Sequence, residues 1–146
     1  MEQRISLITL GVDDIAEARR FFEDGLGWRP TPFDSDEVAF YQTGSCVLGL
    51  FGREDLAKDA GVSPEGSGFT PFSIAWNGRS EAEVDAAFAK AVNAGAEAVK
   101  HPEKVFWGGY SGYVRIPGGH LMEIAYNPFW EMGEDGAIKL PPPAES

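Results

Sequence analysis

One order of segments occurs twice in this chain, and that repetition constrains its fold more than any other feature of the sequence. Ile5 to Val12 is rich in β-branched and leucine side chains and ends at Asp13-Asp14, which reads as a strand. Asp14 followed by Glu17 resembles a capping box, and Ile15, Ala18 and Phe22 then recur at helical spacing. That helix should stop before Gly25-Leu26-Gly27. Trp28 to Pro32 is predicted to be extended, with Pro30 and Pro32 limiting it to an edge because proline has no N–H to give a ladder. Val38 to Gln42 and Cys46 to Phe51 read as short strands around Thr43-Gly44-Ser45.

The second half repeats the order. Phe72 to Trp76 is a predicted strand, and Ser80 with Glu83 forms a stricter Ser-x-x-Glu capping box. Val84, Phe88, Ala91 and Val92 make an apolar stripe before Gly95, a residue suited to ending a helix. Ala96 to Lys100 is extended, and Tyr110 to Ile116 and Leu121 to Tyr126 are strands around Pro117-Gly118-Gly119. Glu54 to Ala60 is a short predicted helix stopped by Gly61, and Ser63 to Gly68 is the clearest loop. Beyond Asn127-Pro128 a proline- and glycine-rich tail is expected to be extended or partly disordered. The expected fold class is α+β: two βαβββ modules, at about 4–53 and 69–128, joined by a linker at about 54–68 and followed by a tail at 129–146. Short turns favour sheets that are mostly antiparallel within a module. Each sheet buries one face under its helix and can curl the other into a cleft, the usual place for a ligand.

Composition narrows the function. The net charge is −11, from 23 acidic and 12 basic residues. Such a chain repels phosphate backbones, and its basic residues do not cluster, so nucleic acid is not an expected partner. No apolar run approaches the roughly 20 residues of a membrane span, and no signal-like segment precedes the first strand, so a cytoplasmic location is expected. The single cysteine, Cys46, lies in an apolar run. It reads as a small buried hydrophobe before it reads as a reactive thiol. Asp34, Asp36 and Glu37 crowd one loop; a solvated loop is the ordinary reading, a cation site the alternative.

Three motifs carry a family resemblance. Leu10-Gly11-Val12-Asp13-Asp14-Ile15 leads to Ala18-Arg19-Arg20-Phe21-Phe22 and to Leu26-Gly27-Trp28. Phe106-Trp107-Gly108-Gly109-Tyr110-Ser111-Gly112-Tyr113 is the second, and Pro117-Gly118-Gly119-His120-Leu121-Met122-Glu123-Ile124 the third. Over about residues 5–128 the chain resembles the vicinal-oxygen-chelate superfamily of glyoxalases, bleomycin-resistance proteins and extradiol dioxygenases. It looks like a bacterial subgroup rather than one of the named enzymes. Ile116 and Gly118 stand where the family pattern has Asp, a departure that touches only the turn.

The resemblance implies where a metal would sit. Metal-dependent members take ligands from the first and last strand of each half. Counting back from Asp14 along the pattern lands on Leu7, and setting Gly44 against Gly119 places Leu48 opposite Glu123. The corresponding place on the first strand of the second half falls near Pro71 or Phe72. Only Glu123 matches a ligand position, and one carboxylate does not hold a divalent ion. The chain has two histidines, His101 and His120, and His120 is of opposite strand parity to Glu123. No metal and no other cofactor is therefore expected.

What remains is a cleft with one carboxylate and several aromatics. Glu123 reads either as a general base or acceptor for a ligand, or as a partner of Trp107 Nε1 or of a tyrosine hydroxyl that organises the cleft. Trp107, Tyr110, Tyr113, Tyr41 and Phe51, with Leu7 and Leu48, are the candidate lining residues. His120 reads as a surface or turn histidine, and Trp130 with Phe129 and Met132 as packing for the tail or a partner subunit. The leading expectation is a small-molecule binding or sequestering protein, metal-free as the resemblance to the bleomycin-resistance branch implies. The alternatives are a metal-independent isomerase or lyase using Glu123 as base, and a metal-dependent glyoxalase- or dioxygenase-like enzyme. The resemblance also implies a homodimer.

Overall fold

The structure is a computed structural model and describes residues 1, 3, 5–33 and 35–143. Arg4, Asp34 and the end of the tail, residues 144–146, lie outside the described residues. In the first half, β1 (Leu7–Val12) pairs parallel with β3 (Cys46–Gly52), and β2 (Val38–Thr43) pairs antiparallel with β3, in the order β1-β3-β2. In the second, β4 (Ser73–Asn77) pairs parallel with β7 (His120–Tyr126), and β6 (Tyr110–Ile116) and β5 (Glu97–Lys104) follow antiparallel, in the order β4-β7-β6-β5. Each half thus has a mixed sheet, with its first and last strands parallel. Parallel neighbours need a crossover, and in each half the crossover includes the helix.

The helix starts follow from their caps. Asp14 is extended (φ −132°) and its carboxylate accepts from the Glu17 N–H at 3.1 Å, opening α1 (Ile15–Arg20). Ser80 Oγ accepts from the Glu83 N–H at 3.1 Å and opens α3 (Glu81–Asn93). A third helix, α2 (Arg53–Ala60), ends on Gly61 in the left-handed region at φ 73°, where a glycine carries no Cβ penalty. On α3 the buried stripe is Val84, Phe88 and Ala91; Val92 turns outward.

The first helix does not stop before Gly25. Its last turn widens into a π-helical turn over Phe21–Gly25, directing both Phe21 and Phe22 into the core. Gly25 then lies against Ala94 at the end of α3, so close that a Cβ there would overlap the Ala94 methyl. The absent side chain lets the ends of the two helices meet.

The two halves keep the expected α+β plan of paired modules and differ in one element. Among the described residues, 28–33 and 35–37 form no strand where the second half has β5. Pro30 and Pro32 cannot donate, and the segment is held to β2 by the Thr31 N–H donating to the Phe40 carbonyl at 2.8 Å. β5 accommodates its own Pro102 by register irregularities beside Lys100. The tail, expected to be extended or partly disordered, carries a small hairpin, β8 (Glu131–Met132) with β9 (Ile138–Lys139), and Arg79 Nη2 donates to the carbonyls of Gly133 and Glu134 at 2.9 and 3.1 Å.

One core joins the halves. Leu10, Val12, Phe22 and Leu50 pack in the same cluster as Val84, Phe88, Val114 and Ile124. His120 Nε2 lies 2.8 Å from the Gly11 carbonyl and, facing an acceptor, must carry the proton; this bridges β7 to β1. In the linker, Arg53 Nε and Nη2 donate to the carbonyls of Pro64 and Gly66, each at 2.8 Å.

Candidate functional site

Side chains alternate along a strand, so each sheet has an inner face, turned toward α1, α3 and the other half, and an outer face. In the first half Leu10 and Val12 are buried on the inner face of β1, with Leu48 and Leu50 beside them on β3. In the second half Met122 and Ile124 of β7 are buried on the inner face, in register with Ile74 and Trp76 of β4. The helices cover part of these inner faces. Where the cover ends, a cleft of about 560 Å³ opens between the sheets. Ile8 and Leu48 line one side, Ile74 and Met122 the other, and Trp28 and Trp76 complete the aromatic lining with Tyr41.

Tyr41 and Trp28 are held from behind by Phe22, whose ring centroid is 5.5 Å from Tyr41 and 5.2 Å from Trp28. The Tyr41 hydroxyl donates to Glu23 Oε2 at 2.9 Å, and Arg19 Nε donates to the same oxygen at 2.7 Å. Burial first, and then the hydrogen bond to Glu23, push the Tyr41 phenol far above its ordinary range. The Arg19 hydrogen bond, supported by that of Tyr41, outweighs burial and holds the Glu23 carboxyl below the ordinary value. A carboxyl lowered in the folded state stabilises above the unfolded value, and that stability is lost as pH falls through the folded value. Glu23→Gln is therefore expected to cost about 1 kcal/mol at pH 7. The difference from the parent chain should shrink as pH drops below about 4. Urea titrations at pH 7 and 3.5 check this, and a gap that widens in acid would contradict it.

The outer faces hold most of the other candidates. Glu123 and Tyr113 are cross-strand neighbours there, and burial followed by the Glu123 charge raises the Tyr113 phenol. The carboxylate therefore meets a tyrosine, not Trp107. Leu7, 46% exposed, lies against Gly49 and Phe51 is half-buried, both on the outer face of the first sheet. Leu48 is on the inner face, in register with Ile8, so it cannot share a site with Leu7 or stand opposite Glu123. Tyr110 is on neither wall: its hydroxyl donates to Asp85 Oδ1 of α3 at 2.6 Å and ties β6 to the helix. Trp107 occupies a turn, with its ring folded over Gly109.

The turns also reset the comparison of the two halves. Cys46 and His120 are the first paired residues after the β2–β3 and β6–β7 turns, so Gly49, not Leu48, corresponds to Glu123. On the first strands Leu7 corresponds to Ser73, each opening its strand, rather than to Pro71 or Phe72. A leucine, a glycine, a serine and one glutamate do not fit a divalent ion, which needs three or four N, S or O donors. Among the described residues no three His, Cys, Asp or Glu side chains come together. In the acidic loop, Asp36 and Glu37 are exposed and Asp36 faces Arg19 at 4.0 Å; Asp34 lies outside the described residues. Cys46 is half-buried. Among the described residues no helix is long and apolar enough to cross a membrane.

Two residues of the cleft were in plain view in the sequence, Trp28 of the Leu-Gly-Trp step and Trp76 at the end of a predicted strand. Neither was named as a lining residue; alternation along the predicted strand is the signal that could have put Trp76 on the same face as Ile74. Ile74, Met122 and Arg29, which also line the cleft, carried no comparable signal.

Two mixed sheets, each pairing its first and last strands in parallel around a crossover helix, define the class. Residues 4–124 match the model of the Glyoxalase/Bleomycin resistance protein/Dioxygenase superfamily, and the chain belongs to that superfamily. It is 36% identical to a glyoxalase-related enzyme from Fulvimarina pelagi, with a TM-score of 0.87 over 95% of this chain and 99% of that one. A glyoxalase/bleomycin resistance protein/dioxygenase from Nocardioides shares the fold at 19% identity and TM-score 0.70, covering 86% of this chain and 84% of that one. Lactoylglutathione lyase from Agrobacterium tumefaciens does so at 23% and 0.67, covering 89% and 98%. A search of curated proteins finds no match.

Proposed function

We propose that the chain binds an apolar small molecule in the cleft between its sheets and does so without a metal at the family's ligand positions. One observation carries the reading: the cleft has the volume of a small-molecule site, and its lining brings together Trp28, Tyr41, Trp76 and Met122 with no carboxylate among the described residues. The Tyr41 hydroxyl is already engaged by Glu23, so the ring serves as wall. The metal-independent isomerase or lyase reading is weaker. Glu123 projects from the face of β7 opposite Met122, away from this cleft, and its neighbour Tyr113 is a phenol whose ionisation is made harder.

The test joins elemental analysis of purified protein to a thermal-shift and tryptophan-fluorescence screen of two-ring aromatic probes. At least one probe is expected to raise the melting temperature and quench tryptophan emission. Trp76→Ala should weaken that binding about tenfold, whereas Glu123→Gln should leave it unchanged. Stoichiometric zinc, iron, nickel or manganese, or a screen with no binder, would overturn the proposal.

A further inference from the structure

The charge at this cleft runs against the charge of the chain. Acidic residues outnumber basic ones by 23 to 12, yet among the described residues the one charged side chain in the cleft lining is Arg29. A smaller cavity of about 200 Å³ adjoins it and shares Trp28, Trp76 and Met122; its one charged residue is Lys90, on the last turn of α3. Among the described residues no Asp or Glu lines either cavity.

Both cations are uncommitted. Arg19, Arg53, Arg79 and Arg115 each donate to a carboxylate or a carbonyl. The side chains of Arg29 and Lys90 have no hydrogen-bond or ion-pair partner among the described residues; the same holds for Arg20, which lines neither cavity. Of the polar side chains in the lining, Gln42 Nε2 donates to the Gly44 carbonyl and Thr43 Oγ1 to the Cys46 carbonyl. In a chain this acidic, a guanidinium on an apolar wall whose lining, among the described residues, holds no carboxylate is placed to meet an anion from outside.

We infer that the occupant of the cleft is an apolar organic acid, an aromatic carboxylate whose rings lie against Trp28, Trp76 and Met122 and whose carboxylate is met by Arg29. The inference rests on the binding reading above and deepens it. A guanidinium offers two parallel N–H donors that match a carboxylate's two oxygens, and the pair gains strength beside apolar surface that excludes water. A single delocalised negative charge suits such a wall better than a doubly charged phosphate, whose desolvation costs more. Lys90 adds a second, longer-range attraction from the adjoining cavity.

Two probes of nearly equal shape separate the parts of the claim: 2-naphthoate and the neutral 2-naphthalenemethanol, titrated by calorimetry against the full chain. The acid is expected to bind about tenfold more tightly than the alcohol at low salt, with the ratio falling as salt is raised. Arg29→Gln should bring the two affinities within about threefold, and adding Lys90→Gln should remove the remaining preference. Because both side chains are exposed, circular dichroism should show unchanged folding. Equal affinities in the parent chain would overturn the inference while leaving the binding reading standing. An acid preference that survives in the double variant would also overturn it. Binding of neither probe would overturn both.

Discussion

Phe22→Ala is expected to lower the free energy of unfolding by about 4 kcal/mol. Phe22 is fully buried and lies in contact with three other aromatic rings, with centroids 5.1 Å from Phe21, 5.2 Å from Trp28 and 5.5 Å from Tyr41. Deletion removes the transfer energy of a benzyl group and leaves a void that neighbours fixed by their own backbones fill poorly. The effect reaches the cleft as well, since Trp28 and Tyr41 would lose the ring that backs them. Out of a total stability of roughly 5–15 kcal/mol, this is a large share. The variant should show a much lower urea midpoint with the slope little changed. A loss below about 1.5 kcal/mol would contradict the packing described.

The second large effect is expected at Gly25. Gly25→Val should cost about 3 kcal/mol, although the position is on a helix end and valine is only a modestly poor helix residue. The cause is the collision with Ala94: the first carbon of any side chain overlaps the Ala94 methyl, and the Ala94 backbone follows within 3.1 Å. Relief requires α1 and α3 to separate, which opens the shared core of both halves. Ala94→Gly alone should be mildly destabilising, yet combined with Gly25→Val it should recover about 1–2 kcal/mol of the loss. A double-mutant cycle by thermal or urea unfolding measures this. Strict additivity would mean that the helix ends do not meet as described.

The parts of the fold that sequence makes legible are those governed by local chemistry. Asp14 and Ser80 open helices because their side-chain oxygens satisfy an N–H that the helix leaves orphaned, and that is readable from spacing alone. The same holds for Gly61 and for the turns at Gly44 and at Gly118-Gly119, where positive φ suits glycine. The prolines at 30 and 32 argued for a poorly paired segment, and the structure carries that further, to no strand at all. The π-helical turn was not legible. It depends on how Phe21, Phe22 and Gly25 meet Tyr41 and Ala94, residues distant in the chain.

The candidate site was legible by residue type and not by face. Alternation along a strand makes a one-residue error of alignment a change of side. Matching Gly44 to Gly119 was such an error, because the β2–β3 turn has one residue fewer than the β6–β7 turn, and it moved Leu48 to the wrong face. Tyr113 and Tyr110 illustrate the same rule within one strand: the first neighbours Glu123 on the outer face, while the second reaches Asp85 on α3. Trp76 was missed because a tryptophan at a strand end looks like ordinary core until the opposing sheet is known.

The bonds from Arg53 to Pro64 and Gly66 have a consequence for how the two halves find each other. A free connection of this length would explore a wide volume, and the second half would meet the first at a modest effective concentration. Folding the connection back onto the first half shortens the tether that remains, so less loop-closure entropy is lost when the halves join. Arg53 touches neither sheet's inner face, and it can still govern how readily the cleft between them is assembled.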